Sequence, residues 1–222
     1  MMVLAVACLV PTFLLSQGLN RDLVYFGGMG GIATLSGDGA ASITPTSAST
    51  SLYDPSNGGA ASAFIGIHLF NYVSLQADYV WNRNDVVLVS SIAASGAPSF
   101  YRLPESVTQN ALLESALVYF RKRESRIRPY LSEGVGGVFI HSHLSGGGIA
   151  SGNPDLPPAS SDHASIVLRT SVGLDVRLRG SWYFRYNFGE TLARNTFGDQ
   201  LSPPEHRVAK NFQSLFGVYF KL

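Results

Sequence analysis

Charged residues are scarce in this chain of 222 residues: they make up 14% of the sequence, whereas soluble domains carry about 25%. Cysteine is scarcer still. The single Cys8 lies in the apolar leading segment, so the rest of the chain has no disulfide and no cysteine metal site. The formal net charge of +1 and the lack of a dense basic patch argue against nucleic-acid binding. The hydrophobic residues, 45% of the chain, alternate with polar ones instead of forming the continuous runs or helical stripes of a soluble core.

The clearest pattern lies in residues 165–190, where two alternating segments flank a short turn at Arg179 and Gly180. Between residues 166 and 178 the even positions are mostly apolar and the odd positions are mostly polar. After the turn, one face carries Trp182, Phe184, Tyr186 and Phe188. A period of two predicts β-strands with one apolar and one polar face. Two long strands of this kind, joined by a tight turn, are the repeating unit of a membrane-spanning β-barrel.

The same rhythm predicts eight strands in the whole chain, at residues 22–35, 61–70, 73–82, 108–120, 126–141, 165–178, 181–190 and 208–222. Short turns join the second to the third strand, the fourth to the fifth and the sixth to the seventh. Long polar loops join the others, although the apolar residues 86–89 could extend the third strand. Glycines leave the faces of the first and fifth strands unassigned. The pattern predicts an all-β fold, an eight-stranded antiparallel up-and-down transmembrane β-barrel.

A water-soluble barrel of the lipocalin type also has eight strands, but its apolar face is turned inward. The aromatic residues favour the membrane barrel, because several lie near strand ends on the apolar face, as the aromatic girdle of a membrane protein does. The predicted girdle residues are Trp81, Tyr119, Trp182 and Phe188. Closure of the barrel would also satisfy every backbone hydrogen bond in lipid.

The stretch RPYLSEGVGG at residues 128–137, the rhythm of strands and loops, and the ending FGVYFKL resemble the OmpA-like family of eight-stranded outer-membrane β-barrels. The ending is similar to the signal read by the barrel-assembly machinery, with Phe216, Val218, Phe220 and Leu222 as its residues and Leu222 in place of the usual final Phe. The resemblance implies contact with outer-membrane lipids and lipopolysaccharide, and biogenesis through periplasmic chaperones and the assembly machinery. It implies no cofactor, and we expect a monomer.

The leading residues 1–18 are apolar and end in small residues, which predicts a secretory signal peptide, although a basic n-region is missing. A lipoprotein signal with a lipidated Cys8 and a buried N-terminal helix of a soluble protein are the alternatives. The barrel domain is predicted over residues 19–222, in the bacterial outer membrane. An even number of strands places both termini in the periplasm.

Charged residues also fall on the inward faces of the predicted strands. They are Asp78, Glu114, Arg169, Asp175, Arg177 and Arg185. Charges in such a place have to be paired or hydrated, and the interior of an eight-stranded barrel is just wide enough for side chains to fill it. We therefore predict a charged plug that fixes the interior packing, with an ion path through a narrow pore as the alternative.

The segment FIHSHLS at residues 139–145 contains a possible catalytic pair. His143 and Ser145 resemble the pair of outer-membrane lipid A deacylases by their spacing, but Gly146 stands where an asparagine is expected, and nothing orients an acid toward them. A metal site is a further alternative, with ligands among His141, His143, His163 and His206. Polar residues at the point where the fifth strand leaves the membrane explain the segment without chemistry, so we predict no enzyme and no metal site.

These patterns together predict a structural or surface-interaction protein. A rigid barrel would display four exposed loops, and loops on rigid scaffolds commonly carry binding. The alternatives are a narrow passive, porin-like pore and a barrel enzyme that modifies lipid A.

Overall fold

The computed structural model describes residues 23–94, 98–196, 198, 201–204 and 208–222. Its strands are β1 (Val24–Leu35), β2 (Asp38–Ile43), β3 (Ser47–Pro55), β4 (Gly58–His68), β5 (Val73–Ala94), β6 (Ser99–Tyr119), β7 (Ile127–Leu144), β8 (Ile149–Ser151), β9 (Ser160–Arg177), β10 (Trp182–Arg194) and β11 (Val208–Lys221). In this part of the chain, no helix is long and apolar enough to cross a membrane. The predicted signal peptide and His206 lie outside the described residues.

Eight of the strands close into an antiparallel ring, in the order β1, β4, β5, β6, β7, β9, β10 and β11. The ring closes because β11 pairs with β1 over eleven residue pairs, from Tyr25↔Lys221 to Leu35↔Asn211. A closed ring leaves no free edge along its paired length, so the backbone groups of the wall bond to one another. The prediction of an antiparallel ring of eight strands is confirmed, and three further strands in the described residues lie outside the ring.

Short turns and long connections alternate around the ring, as the sequence predicts. The turns cover residues 69–72, 120–126 and 178–181 and lie at one end of the ring, which we call the short-turn end. The opposite end, the loop end, carries more β-structure than predicted. There β2 and β3 form a hairpin in the predicted loop 36–60, β3 pairs with β5, and β8 pairs with β6.

Residues 85–107 are predicted as a loop in which 86–89 could extend the third strand; the extension is confirmed, but residues 85–94 and 99–107 are strand and not loop. β5 and β6 run for 22 and 21 residues and remain paired out to Ile92↔Ser99. The reason lies in the inward-facing apolar residues of this segment: Val86 and Leu88 are fully buried, and they pack with Tyr101 and Leu103 in a common core. The gain from burying these side chains keeps the two strands paired well beyond the predicted ends.

The wall of the ring has the opposite polarity to a soluble protein. Large apolar side chains are exposed on its outer face, for example Ile166 at 77%, Phe216 at 60% and Leu168 at 54%. Charged side chains are buried inside, where Arg185 is 0% and Asp175 is 1% exposed. Soluble proteins rarely bury unpaired charges or expose large contiguous apolar surfaces.

The facing predicted for the fourth strand is wrong. Leu113, Leu117 and Tyr119 point inward and are buried, whereas Glu114 is exposed on the outer face. Directly paired residues of antiparallel strands share a face, and Leu113 pairs with the buried Asp78. The polar lining of β5 therefore fixes the orientation of β6.

The facing of the fifth strand, which the sequence leaves open, is now defined. Gly134 faces inward, and the neighbouring Glu133 lies on the outer face, where it accepts a hydrogen bond from Thr170 at 2.9 Å. Glu133 and Glu114 are thus two carboxylates on the outer face, among its large apolar side chains.

Candidate functional site

The centre of the ring's interior, the lumen, is an ion pair between Arg185 on β10 and Asp175 on β9. These residues pair directly across the two strands. Arg185 Nε donates to Asp175 Oδ1 at 2.6 Å, and Nη2 donates to Oδ2 at 2.7 Å. This two-point geometry is the strongest arrangement of guanidinium and carboxylate. Because both side chains are fully buried, either charge would strongly destabilise the fold if its partner were removed.

Tyrosine hydroxyls complete the shell around this pair. Tyr119 and Tyr219 both donate to Asp175 Oδ2 at 3.0 Å. Tyr119 also accepts from Arg185 Nη2 at 3.0 Å, so its hydroxyl uses both its donor and its acceptor capacity. The guanidinium carbon lies 4.8 Å from the ring centroids of both Phe64 and Tyr219, which adds cation–π attraction.

A chain of amide and hydroxyl groups extends the network to Asp78. Gln76 accepts from Arg185 Nη1 at 2.6 Å and from Tyr25 at 3.0 Å, and its own amide donates to Asp78 Oδ1 at 2.7 Å. Ser115 donates to the other carboxylate oxygen, Oδ2, at 3.0 Å. Asp78 is therefore held by hydrogen bonds and not by a direct ion pair among the described residues.

Arg169 is held on the neighbouring part of the wall. Its Nη2 donates to Asn187 Oδ1 at 2.9 Å, and Asn187 in turn donates to Tyr130 and Ser171. A cavity of about 10 Å³ remains between this group and Asp78. That volume is about enough for a single water molecule.

The short-turn side of the lumen is closed by a further layer. Arg128 is buried, with its guanidinium carbon 3.7 Å from the ring centroid of Tyr119, and it donates to the Asn71 carbonyl at 3.3 Å. His68 shares a 2.6 Å hydrogen bond with Ser74 and stacks on Tyr25. Arg128 on β7 thus reaches the turn between β4 and β5 across this end.

The loop side of the lumen is closed by apolar packing. Above the charged layer, Asn211 donates to Asn82 and Gln109. Beyond these amides lies a buried apolar cluster that includes Val86, Leu88 and Leu201. Residues 201–204 cross to the opposite wall, where the carbonyls of Ser202 and Pro203 accept hydrogen bonds from Ser90 and Ser51.

The structure brings four of the six predicted lumen charges together: Asp78, Arg169, Asp175 and Arg185. Arg177 is only half-buried at the short-turn end, where it donates to Tyr183 at 3.0 Å. Glu114 lies on the opposite face of the wall, so its assignment to the network is wrong. The sequence prediction also missed Arg128, which lies on the fifth strand, whose facing could not be assigned.

Of the predicted aromatic girdle, Trp182 and Phe188 are exposed on the outer face at 50% and 44%, and Trp81 is half-buried there. Tyr119 belongs to the lumen, so its girdle assignment is wrong. The predicted assembly residues Phe216, Val218, Phe220 and Leu222 are exposed or half-buried.

The histidine segment lies at the loop end of β7. His141 and Asp162 pair across strands on the outer face, with Nδ1 and Oδ1 2.6 Å apart. The rings of His141 and His143 are 5.9 Å apart. Within the described residues, no group of three or more His, Cys, Asp or Glu side chains could hold a metal ion, and no hydrogen bond joins the side chains of His143 and Ser145.

Solved structures share this arrangement. Neisserial surface protein A is 15% identical with a TM-score of 0.54, over 90% of this chain and 97% of that chain. The outer membrane protein OprG from Pseudomonas aeruginosa is 12% identical with a TM-score of 0.50, again over 90% of this chain and 97% of that chain. The chain has their fold. No protein-family model and no curated protein matches the sequence.

Proposed function

We propose that this protein is a bacterial outer-membrane β-barrel with a closed, non-conducting lumen, and that it has a structural or surface-interaction role. One observation carries the proposal: the ring exposes apolar side chains outward and buries a hydrogen-bonded charge network inside. In water this arrangement would expose the apolar wall at a large cost. In a bilayer it is the favourable arrangement, because lipid covers the wall and the network satisfies the buried charges.

The residues on the outer face are those expected of a membrane belt, which is the band of the wall that lipid would cover. Trp182 marks the short-turn border of the belt, and Trp81 and Phe188 lie toward the loop end. Between these borders, the charged residues on the outer face are Glu114 and Glu133.

The packing of the lumen argues against the pore. Three layers follow one another along the axis of the ring: the ion pair with its tyrosines, the amide layer and the apolar cluster. The cavity among the charged residues has room for only about one water molecule. An ion would have to displace the buried network to cross.

The loop end supplies the surface for interaction. β5 and β6 continue past the belt, and β2, β3 and β8 add to them, so that an ordered extension of the sheet replaces two of the predicted loops. We call this part the loop-end extension. Its shape is fixed by the buried core around Leu88 and Tyr101, which makes it a rigid support for recognition.

We further propose that the protein belongs to the OmpA-like family and is a monomer, and that its short turns and both termini lie in the periplasm. It would contact lipopolysaccharide, and its biogenesis would use periplasmic chaperones and the barrel-assembly machinery. The absence of enzymatic activity is also a proposal, supported by the lack of an assembled catalytic set around His143 in the described residues.

Two experiments test the proposal together. Electrophoresis in mild detergent, with and without boiling, should show an outer-membrane band that shifts on heating, since a closed barrel resists the detergent until it unfolds. The folded protein should then give no reproducible conductance steps in planar bilayers. Regular conductance steps of one size from the heat-modifiable protein would contradict the closed lumen and favour the narrow pore.

A further inference from the structure

Two turns at the short-turn end bring six basic residues together. The turn 120–126 has the sequence FRKRESR, while Arg177 is the last residue of β9 and Arg179 lies in the turn 178–181 that follows it. The two turns touch: the Arg177 amide donates to the Arg126 carbonyl at 2.8 Å, and its guanidinium donates to the Arg123 carbonyl at 3.5 Å. The sequence alone shows no dense basic patch because more than fifty residues separate the two turns.

The charges on this surface are exposed and largely uncompensated. Arg121, Lys122, Arg126 and Arg179 are all exposed, and the two turns contain a single acid, Glu124. Among the described residues, no salt bridge of 4.0 Å or less joins these four cations to a carboxylate. The surface therefore presents a strong positive potential to whatever lies next to it. We call it the basic turn surface.

Exposed apolar side chains lie in the same two turns and at the start of β10. Phe120 is 61% exposed, Leu178 is 55% exposed and Trp182 is 50% exposed. Aromatic rings beside Lys and Arg are typical of the level at which lipid headgroups meet the hydrocarbon. The cations thus lie where the phosphates of a bilayer would be.

Among the described residues, the loop end carries more acids than cations. Its exposed or half-buried acids include Asp38, Asp54, Asp85, Asp155 and Asp162, and its cations include Arg83, Arg102 and Arg194. The asymmetry between the two ends is notable because the net charge of the chain is only +1. A ligand with phosphate groups would be attracted to the short-turn end and not to the loop end.

We propose that the basic turn surface binds anionic phospholipids through their phosphodiester headgroups, in the leaflet that meets the short turns. The inference rests on the proposed insertion in the membrane. Exposed Arg and Lys side chains donate to phosphate oxygens, while Phe120 and Trp182 lie against the adjoining acyl chains. The interaction selects this leaflet by charge and holds the barrel at a fixed depth.

The test measures binding of a fluorescent short-chain phosphatidylglycerol to the full-length protein in zwitterionic detergent, with phosphatidylcholine of the same chain length as the neutral probe. Fluorescence anisotropy should show tighter binding of phosphatidylglycerol. The preference should fall in 1 M salt, because the Debye length there is about 3 Å. Equal binding of the two lipids, or a preference that salt does not reduce, would overturn the inference.

A matched pair of variants locates the site. Arg121→Gln with Lys122→Gln should weaken phosphatidylglycerol binding between about fivefold, for one lost contact, and about thirtyfold, for two. Arg83→Gln with Arg102→Gln removes the same charge from the loop end. This variant should bind within about twofold of the parent, because the loop end is farther from the basic turn surface than the Debye length. Equal losses in both variants would overturn the assignment of the site.

The heat-induced gel shift, measured on every sample, separates the two proposals. A sample that shifts on boiling but shows no lipid preference refutes lipid binding at the basic turn surface and leaves the membrane barrel standing. A parent that does not shift refutes the membrane barrel and the lipid site with it.

Discussion

The ion pair of Arg185 and Asp175 allows a quantitative test of the charged plug. Replacing Arg185 with Gln would leave a fully buried carboxylate that keeps only the hydroxyl donors of Tyr119 and Tyr219. Removing one partner of a buried pair typically costs about 3–5 kcal/mol. The single change Asp175→Asn should cost a similar amount, because it leaves the guanidinium with neutral acceptors only.

The double variant, with Asp175→Asn and Arg185→Gln together, should be more stable than the sum of the single losses implies. It removes both charges at once and retains neutral hydrogen-bonding groups, so we expect a coupling energy of about 2–3 kcal/mol. Urea unfolding of the refolded barrel in detergent micelles, followed by intrinsic fluorescence, measures each free energy. Single losses below about 1 kcal/mol, or losses that simply add, would refute the claim that this pair organises the lumen.

Three further changes test other parts of the structure. Glu105 is 1% exposed in the loop-end extension, neither carboxylate oxygen has a hydrogen-bond partner among the described residues, and burial raises the pKa of its carboxyl. A raised pKa in the folded state means that stability falls as pH rises above the ordinary value near 4.5. Glu105→Gln should therefore stabilise the protein by about 1–3 kcal/mol at pH 7, and the gain should disappear below pH 4; equal stability at pH 7 would contradict it. Gly173→Ala should cost about 1–3 kcal/mol in urea unfolding, because the new methyl group would clash with the ring of Tyr130. Gly137→Ala is its control, since a methyl there meets nothing within 4 Å, and equal effects would speak against this packing. Glu114→Leu should stabilise the inserted barrel by about 1–2 kcal/mol, because it removes a carboxylate from the lipid-facing belt, and a loss of stability in refolding titrations would contradict the assignment of that face.

The strands and their order could be predicted because a period of two survives in most of them. The pattern in residues 165–190 identifies β9 and β10 and the turn between them, but β9 begins five residues earlier, at Ser160, and β10 ends four residues later, at Arg194. It fails in β6, where apolar residues occupy both parities, as in Leu112 and Leu113 or Ala116 and Leu117. Polarity cannot assign the faces of such a strand, and only its pairing with β5 does so.

The site was less accessible to sequence reasoning, because its contacts join distant segments. Arg185 lies 109 positions from Gln76 and 66 from Tyr119, yet it donates to both. The inward parity of β9 and β10 was enough to select Arg169, Asp175 and Arg185. No local pattern could show that tyrosines from other strands complete the network, or that residues 201–204 cross to β3 and β5.

The central claim is that lipid covers the outer face of the ring. The chain has two tryptophans, Trp81 and Trp182, and both lie on that face near opposite borders of the proposed belt. In vesicles whose acyl chains carry bromine, the fluorescence of both should be quenched, more strongly by shallow bromines than by deep ones. The variants Trp81→Phe and Trp182→Phe report each residue separately. Quenching by iodide from the water, with none by brominated lipid, would contradict the membrane barrel.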